Sequence, residues 1–150
     1  MKITGPDDLR AAVGTHLGHS DWLIIDQERV NQFADATGDD QWIHVDVARA
    51  TRESPFGGPI AHGYLTMSLS NFFLPQIVQV EGFSAGLNYG VNKVRFMTPV
   101  LVGSRVRGGA QLTEVTEVAG GLQTVMTITI EVEGSAKPAC VIEAVSRWLT

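Results

Sequence analysis

The chain has 150 residues, 44% of them apolar, which is enough to form the core of one domain spanning residues 1–150. Its net charge of −5 disfavours a nucleic-acid partner, because domains that bind nucleic acids usually carry a basic patch. No apolar stretch approaches the roughly 20 residues of a membrane span, and the opening "MKITGPDD" lacks the apolar core of a secretory signal. The single cysteine, Cys140, excludes an internal disulfide. We therefore expect a cytoplasmic protein with neither a nucleic-acid nor a membrane partner.

The first part of the chain predicts short elements separated by loops. They are helices over residues 5–14 and 27–38, a short strand over residues 20–26 and a short helix after Asp46 as N-cap. In the second of these helices Val30 and Phe33 fall at helical spacing, and Gly38 follows as a stop signal. Residues 55–63, "PFGGPIAHG", predict a loop.

The longest apolar segment, "AHGYLTMSLSNFFLPQIVQV", covers residues 61–80. Its length and its lack of strict alternation favour a helix that is buried on most sides. Such a helix would be roughly 30 Å long at 1.5 Å per residue. Pro75 is expected to bend or end it.

The second half of the chain predicts strands. Residues 122–132 alternate apolar and mostly polar side chains, which indicates a half-buried strand. Further strands are expected in residues 83–96, 103–118 and 138–150, with a bulge or strong bend at Gly86 or Gly90. One early strand, then helices, then about four strands predict an α+β fold, in which an antiparallel sheet packs on one long helix.

Asp39 and His44 flank Trp42 and Ile43 in the segment "GDDQWIH". On a helix the two polar side chains would lie about 140° apart, but in a compact loop they can converge on one water as a general acid and base. Large apolar neighbours shift the pKa of titratable groups. The alternative is that Asp39 is only a solvent-exposed polar residue in the turn after a helix, and that His44 packs beside Asp46.

Gly63 stands at the start of the long apolar helix, where backbone N–H groups have no partner within the helix. Such an N–H suits a carbonyl oxygen that gains negative charge, and glycine allows a ligand to approach closely. Alternatively, Gly63 is needed only for packing of the helix on the sheet. Ser68 is one helical turn further along, and a hydroxyl bonded to the carbonyl four residues earlier would explain it equally well.

Other reactive side chains give weaker indications. His16 and His19 form an HxxH pair without a nearby Cys, Asp or Glu to complete a ligand set, so no metal site is predicted. Cys140 lies in an apolar strand and is expected to be a buried small hydrophobe. The basic residues of the second half form either a solvated strand face or a rim that attracts a phosphorylated carrier such as coenzyme A; they are Lys93, Arg95, Arg105 and Arg107.

Two segments in this order resemble the MaoC-like dehydratase family, which includes the (R)-specific enoyl-CoA hydratases and the nodulation-protein-N-like proteins. They are "FADATGDDQWIHVDVARA" and, about seventeen residues after His44, "PIAHGYLTMSLS". The similarity continues from about Ser20 to the C-terminus through "NYGVNKVRF", "VGSRVR" and "VEGSAKPAC". It is strongest to actinobacterial members.

The resemblance implies a hot-dog fold, in which a curved antiparallel sheet wraps around a long central helix, and a homodimer. It implies syn addition of water to a trans-2-enoyl-CoA thioester, giving the (R)-3-hydroxyacyl product, and the reverse dehydration, without a cofactor. The family's catalytic Asp and His fall on Asp39 and His44, its helix-start amide on Gly63, and a serine that supports the Asp in some members on Ser68. Many members have Asn-Pro where this chain has Gln41-Trp42, which removes a fixed φ from the loop.

Two other functions remain compatible with these residues. A hot-dog acyl-CoA thioesterase would share the fold and the carrier but would attack the carbonyl carbon. A non-catalytic acyl-carrier binding protein would need neither Asp39 nor His44 for ligand affinity.

Overall fold

The computed structural model describes all 150 residues as eight strands and six helices. The strands are β1 (Lys2–Thr4), β2 (His16–His19), β3 (Leu23–Ile24), β4 (Gln79–Glu81), β5 (Ala85–Phe96), β6 (Arg105–Val118), β7 (Gly121–Val132) and β8 (Cys140–Leu149). The helices are α1 (Gly5–Ala11), α2 (Gln27–Thr37), α3 (Trp42–Val45), α4 (Val47–Glu53), α5 (Gly63–Ser68) and α6 (Ser70–Ile77).

The main sheet is antiparallel and has six strands in the order β2-β6-β7-β8-β5, with β3 also pairing with β6. A second, parallel pair joins β1 to β4. The α+β class is confirmed. The prediction of strands was incomplete, because β1, β2 and β4 have only three or four residues and are too short to show a period.

The alternation predicted for β7 is confirmed. β7 pairs with β6 on one side and β8 on the other, and every second residue is buried: Leu122, Thr124, Met126, Ile128 and Ile130. These side chains form the inner face of the sheet, on which the helices pack. The predicted bulge is also present, since the β5–β8 register shifts between Asn88 and Gly90.

The prediction of one helix from Ala61 to about Val80 was wrong in its length and continuity. The segment forms α5 and α6, separated at Leu69, and Val78 is already extended with φ −140° and ψ 132°. Pro75 lies inside α6, and the helix ends two residues later at Ile77, where the chain turns into the short strand β4. The last residues of the segment therefore pair with β1 as a strand and do not continue the helix.

The helical segment lies against the inner face of the sheet. Phe73 of α6 is fully buried, and a Cβ atom at Gly108 of β6 would lie 2.7 Å from its Cβ atom. Only glycine at this position lets the strand approach the helix so closely. None of the helices combines the length and the apolar character needed to span a lipid bilayer.

Candidate active site

The loop between α2 and α3 presents Asp39. Gly38 ends α2 in the left-handed conformation with φ 79°, as the stop signal predicts, and its N–H donates to the carbonyl of Ala34. Trp42, three residues after Asp39, begins the one-turn helix α3, which carries His44. The side chain of Asp39 is exposed and accepts no hydrogen bond from the protein, so its carboxylate is free to accept one from a ligand or water.

His44 is buried, with 9% of its surface exposed. Its Nδ1 lies 2.6 Å from the carbonyl oxygen of Ile60 and must donate to it, because a carbonyl can only accept. In the neutral ring the other nitrogen, Nε2, is therefore an acceptor. Burial lowers the pKa of His44 below its ordinary value of 6.5; the hydrogen bond to Ile60 opposes this, and the nearby His62 reinforces it. Near neutral pH His44 thus offers an unprotonated Nε2.

His62 joins these residues, and the sequence analysis did not single it out. It is 2% exposed, and its Nε2 donates to the backbone carbonyl of Asp39 at 2.8 Å. Its ring stacks on that of His44 with centroids 3.9 Å apart and planes 25° apart. The available signal was its position: it directly precedes Gly63, a residue already placed in the site.

Gly63 begins α5, and its N–H donates to no protein acceptor. It lines a cavity of about 280 Å³ together with Ala61, Thr66, Phe96 and Met97, among others. A Cβ atom at this position would lie 3.3 Å from three carbons of the Phe96 ring. Close approach of Phe96 therefore explains the glycine, and the free amide beside the cavity is available to a ligand.

Ser68 does not join the group. Its side chain is exposed and its hydroxyl donates to the carbonyl of Tyr64 at 2.6 Å, which is the local bond considered above. It lines a different cavity, of about 120 Å³, with Asn71 and Leu74. It forms no hydrogen bond with Asp39, and its supporting role stays a prediction.

Trp42 occupies the position where many family members have proline. It is the first residue of α3, and the guanidinium of Arg49 lies 4.3 Å from the centroid of its ring. Proline would fix φ at this position, whereas here packing of Trp42 against α4 holds the start of the helix.

One potential ligand atom from each of Asp39, His44 and His62 lies within 4.8 Å of the others. The stacked rings do not fit a metal site, however. A metal ion lies in the plane of each imidazole that binds it, about 2.0–2.1 Å from the nitrogen for zinc, and two nearly parallel rings cannot both meet this condition.

The remaining candidate residues are elsewhere. Arg105 and Arg107 are paired with Glu133 and Glu131, whereas Lys93 and Arg95 on β5 have no carboxylate partner. Cys140 is fully buried, as expected, and burial raises its thiol pKa to about 11. His16 and His19 pack on each other in β2, with ring centroids 4.7 Å apart.

The family model described as the MaoC like domain matches residues 8–134. The chain belongs to the MaoC-like dehydratase family.

Two relatives extend this assignment over most of the chain. The 3-hydroxyacyl-thioester dehydratase Z of Mycobacterium tuberculosis is 52% identical over 143 residues, which is 95% of this chain and 94% of the relative. Nodulation protein N of Rhizobium leguminosarum bv. viciae is 44% identical, covering 95% of this chain and 88% of that protein. The similarity to the MaoC-like and nodulation-protein-N-like sequences is thereby confirmed.

The fold also matches solved members. The (R)-hydratase from A. caviae involved in PHA biosynthesis superimposes with a TM-score of 0.70 and 27% identity, covering 89% of this chain and 94% of that one. This agreement confirms the hot-dog fold expected from the sequence.

Proposed function

We propose that this protein adds water to trans-2-enoyl thioesters to give (R)-3-hydroxyacyl thioesters, and catalyses the reverse dehydration. The observation that carries the proposal is the convergence of the Asp39 carboxylate and the buried His44 imidazole beside His62, with Gly63 as the next residue in the chain. Similarity to a 3-hydroxyacyl-thioester dehydratase and to an (R)-hydratase supports the same chemistry.

Hydration requires a water that is held, deprotonated and directed at the β-carbon. One O–H of this water donates to the unprotonated Nε2 of His44, and the Asp39 carboxylate accepts the proton from the other. The oxygen forms a bond to the β-carbon as the π electrons move towards the thioester carbonyl. The proton taken from the water is then returned to the α-carbon, which regenerates the base and completes the addition of one water.

The thioester carbonyl accepts a hydrogen bond from the Gly63 N–H, which has no other partner. This bond strengthens as negative charge grows on the oxygen during water addition, so it stabilises the transition state more than the bound substrate. The cavity beside Gly63 is lined in part by apolar groups such as Phe96 and Met97, which suit the acyl part of the substrate.

We further propose that the thioester is carried on coenzyme A and that no metal or other cofactor takes part. Lys93 and Arg95 lie at the end of β5 that leads to Phe96 and form no salt bridge, although Glu143 of β8 is the residue opposite Lys93. They are therefore the basic residues available to the carrier's phosphates. Arg105 and Arg107 are committed to glutamates and are not expected to contribute.

The proposed assembly is a homodimer in the cytoplasm. β5 pairs with β8 along one edge only, and its 12 residues expose Leu87, Tyr89 and Val91 to about half of their full area. A long apolar strand edge is a liability that pairing with a second copy removes. The single, buried thiol of Cys140 suits a reducing compartment.

The test is incubation of the protein with crotonyl-CoA. Loss of enoyl absorbance without release of free thiol, followed by chiral analysis showing the (R)-3-hydroxy product, is the expected result. Release of free thiol would instead identify a thioesterase. Binding of the thioester with no turnover would identify a non-catalytic binding protein.

A further inference from the structure

The segment of residues 38–41 that carries Asp39 is held by few hydrogen bonds. Those of its own backbone are local: Asp39 N–H donates to the hydroxyl of Thr37, and Asp40 N–H donates to the carbonyl of Gly38. The only hydrogen bond that ties this segment to a distant part of the chain comes from Nε2 of His62. With no proline after Asp39 to fix the backbone, this bond sets where the carboxylate stands.

The same ring also determines the surroundings of His44. It stacks on the His44 imidazole at 3.9 Å, and it also packs against the Phe33 ring of α2 at 4.8 Å between centroids. His44 can turn about its bond to Ile60 only if His62 moves, and His62 is fixed between α2 and the start of α5. Both polar groups of the site are thus positioned by one side chain.

We propose that His62 is a positioning residue for the hydration reaction, with its Nε2–H holding the Asp39 backbone and its ring holding the plane of His44. This inference rests on the proposed function. His62 does not need to touch the substrate for this role.

The choice of histidine over an apolar residue supports the proposal. His62 is 2% exposed, and its Nδ1 has no hydrogen-bond partner in the protein. An unpartnered buried nitrogen costs stability, so a residue needed only to fill this space would be apolar. Histidine combines a flat ring for stacking with one N–H donor directed at Asp39.

Two substitutions separate these two contributions. His62→Phe keeps a ring beside His44 but removes the donor, and His62→Gln keeps a donor but removes the ring. We expect His62→Phe to lower kcat on crotonyl-CoA about 10- to 100-fold with KM changed by less than about twofold, because misplacement of the catalytic groups slows the chemical step. His62→Gln should recover part of the lost kcat.

The control for lost stability is Val106→Ala, a fully buried position in β6 that lines none of the cavities at the site. It should lower the melting temperature while kcat stays near that of the wild type. If the His62 variants lose activity only in proportion to their loss of folded protein, with kcat per folded molecule unchanged as in the control, the proposal is overturned.

A pH profile gives a readout that a purely structural role would leave unchanged. The titratable groups acting on His44 are His62, which lowers its pKa, and Asp39, which raises it. Both His62 variants should therefore raise the pKa of His44, and the acid limb of kcat/KM should move to higher pH. An unchanged His44 pKa in folded variants contradicts the proposal.

Nitrogen-15 chemical shifts of the wild-type protein test the hydrogen bond even if neither variant folds. His62 should carry a proton on Nε2, and a ring protonated only on Nδ1 would overturn the inference, because Asp39 would then have no donor. These shifts and the His44 titration do not require turnover. An inactive wild-type protein with the expected tautomer would therefore reject hydration and leave the positioning geometry intact.

Discussion

Asp39 and His44, the proposed acid–base pair, stand in contrasting environments. The carboxylate is exposed at the end of a loop, whereas the imidazole is buried and holds its tautomer through Ile60. A water between them can donate one hydrogen bond to each acceptor. Two acceptors of the same kind in the same surroundings would distinguish less between the two protons.

The first prediction concerns this pair. Asp39→Asn removes the charge at constant shape, and His44→Gln removes the imidazole; each should lower kcat about 10²- to 10⁴-fold. In the proposed mechanism both residues handle one water, so the double variant should be little worse than the poorer single variant. Each single variant should keep its free energy of unfolding to within about 1 kcal/mol. Steady-state kinetics and thermal melting measure these quantities.

Asp40→Asn is the matched control, since Asp40 is an equally exposed carboxylate in the same loop without a partner. It should retain nearly full activity. Ser68→Ala should also be mild, because the Ser68 hydroxyl is bonded within its own helix. Full crotonyl-CoA hydration by a well-folded Asp39→Asn protein would refute the mechanism.

The second prediction is the pH dependence set by His44. Its pKa in the folded protein lies below 6.5, so activity that needs neutral His44 should persist below pH 6.5 and fall as the ring becomes protonated. The unfolded chain binds a proton at higher pH than the folded one, so stability is also lost as pH falls from about 6.5 towards the folded pKa. In His44→Gln this part of the pH dependence of stability should disappear in melting curves recorded across that range.

At the scale of the element, α5 brings a free amide and His62 to the same place because they are adjacent in sequence. The start of α5 is fixed by the preceding segment, in which Ile60 N–H donates to Ile43 and Ala61 N–H donates to Val100. Through these bonds the α3 turn, the β5–β6 connection and the helix start are held together.

The third prediction tests the helix start. Gly63→Val places a branched side chain against the Phe96 ring and crowds the carbonyl site. Valine keeps the backbone N–H, but the crowding should separate it from the carbonyl; loss of one such hydrogen bond costs about 10² to 10³ in rate, so kcat should fall by that order while the protein still folds. Gly58→Val in the same connecting segment is the control. A Cβ atom at this position would meet only Leu101 Cδ2 at 3.8 Å, which is an ordinary van der Waals contact. A folded Gly63→Val enzyme with full activity excludes this amide as the carbonyl partner.

At the scale of the whole molecule, the fourth prediction is dimerisation through β5. Sedimentation should give about twice the 16.2 kDa of one chain at micromolar concentration. Val91→Glu should shift the protein towards monomers, whereas Val13→Glu, at an exposed valine outside the sheet, should not. A wild-type species of about 16 kDa would contradict the proposed assembly.

The fifth prediction is that chelation leaves activity unchanged. The stacking of His44 on His62 is incompatible with shared coordination of one ion, so treatment with EDTA should not alter kcat. Loss of activity in EDTA that zinc restores would require the two rings to separate, and would overturn this expectation.

The sequence by itself determined the features that depend on neighbouring residues. The alternation of β7, the Gly38 stop and the Asp46 cap each follow from local periodicity or local hydrogen bonding, and the structure contains all three. Asp39, His44 and Gly63 were candidates from local pattern and family resemblance; the structure brings the Asp39 and His44 side chains together, and the roles of all three stay predictions.

Only the tertiary structure decided the features that depend on distant contacts. The hydrogen bond from His62 to Asp39 joins residues 23 apart in the chain, and no local pattern predicts it. The apolar segment ends as a strand at Gln79–Glu81 because β1, from the N-terminus, pairs with it there. The division between paired and free arginines likewise depends on which glutamates the β6–β7 register places opposite them. Long-range pairing chooses among conformations that local preferences leave open, and this choice completed the site.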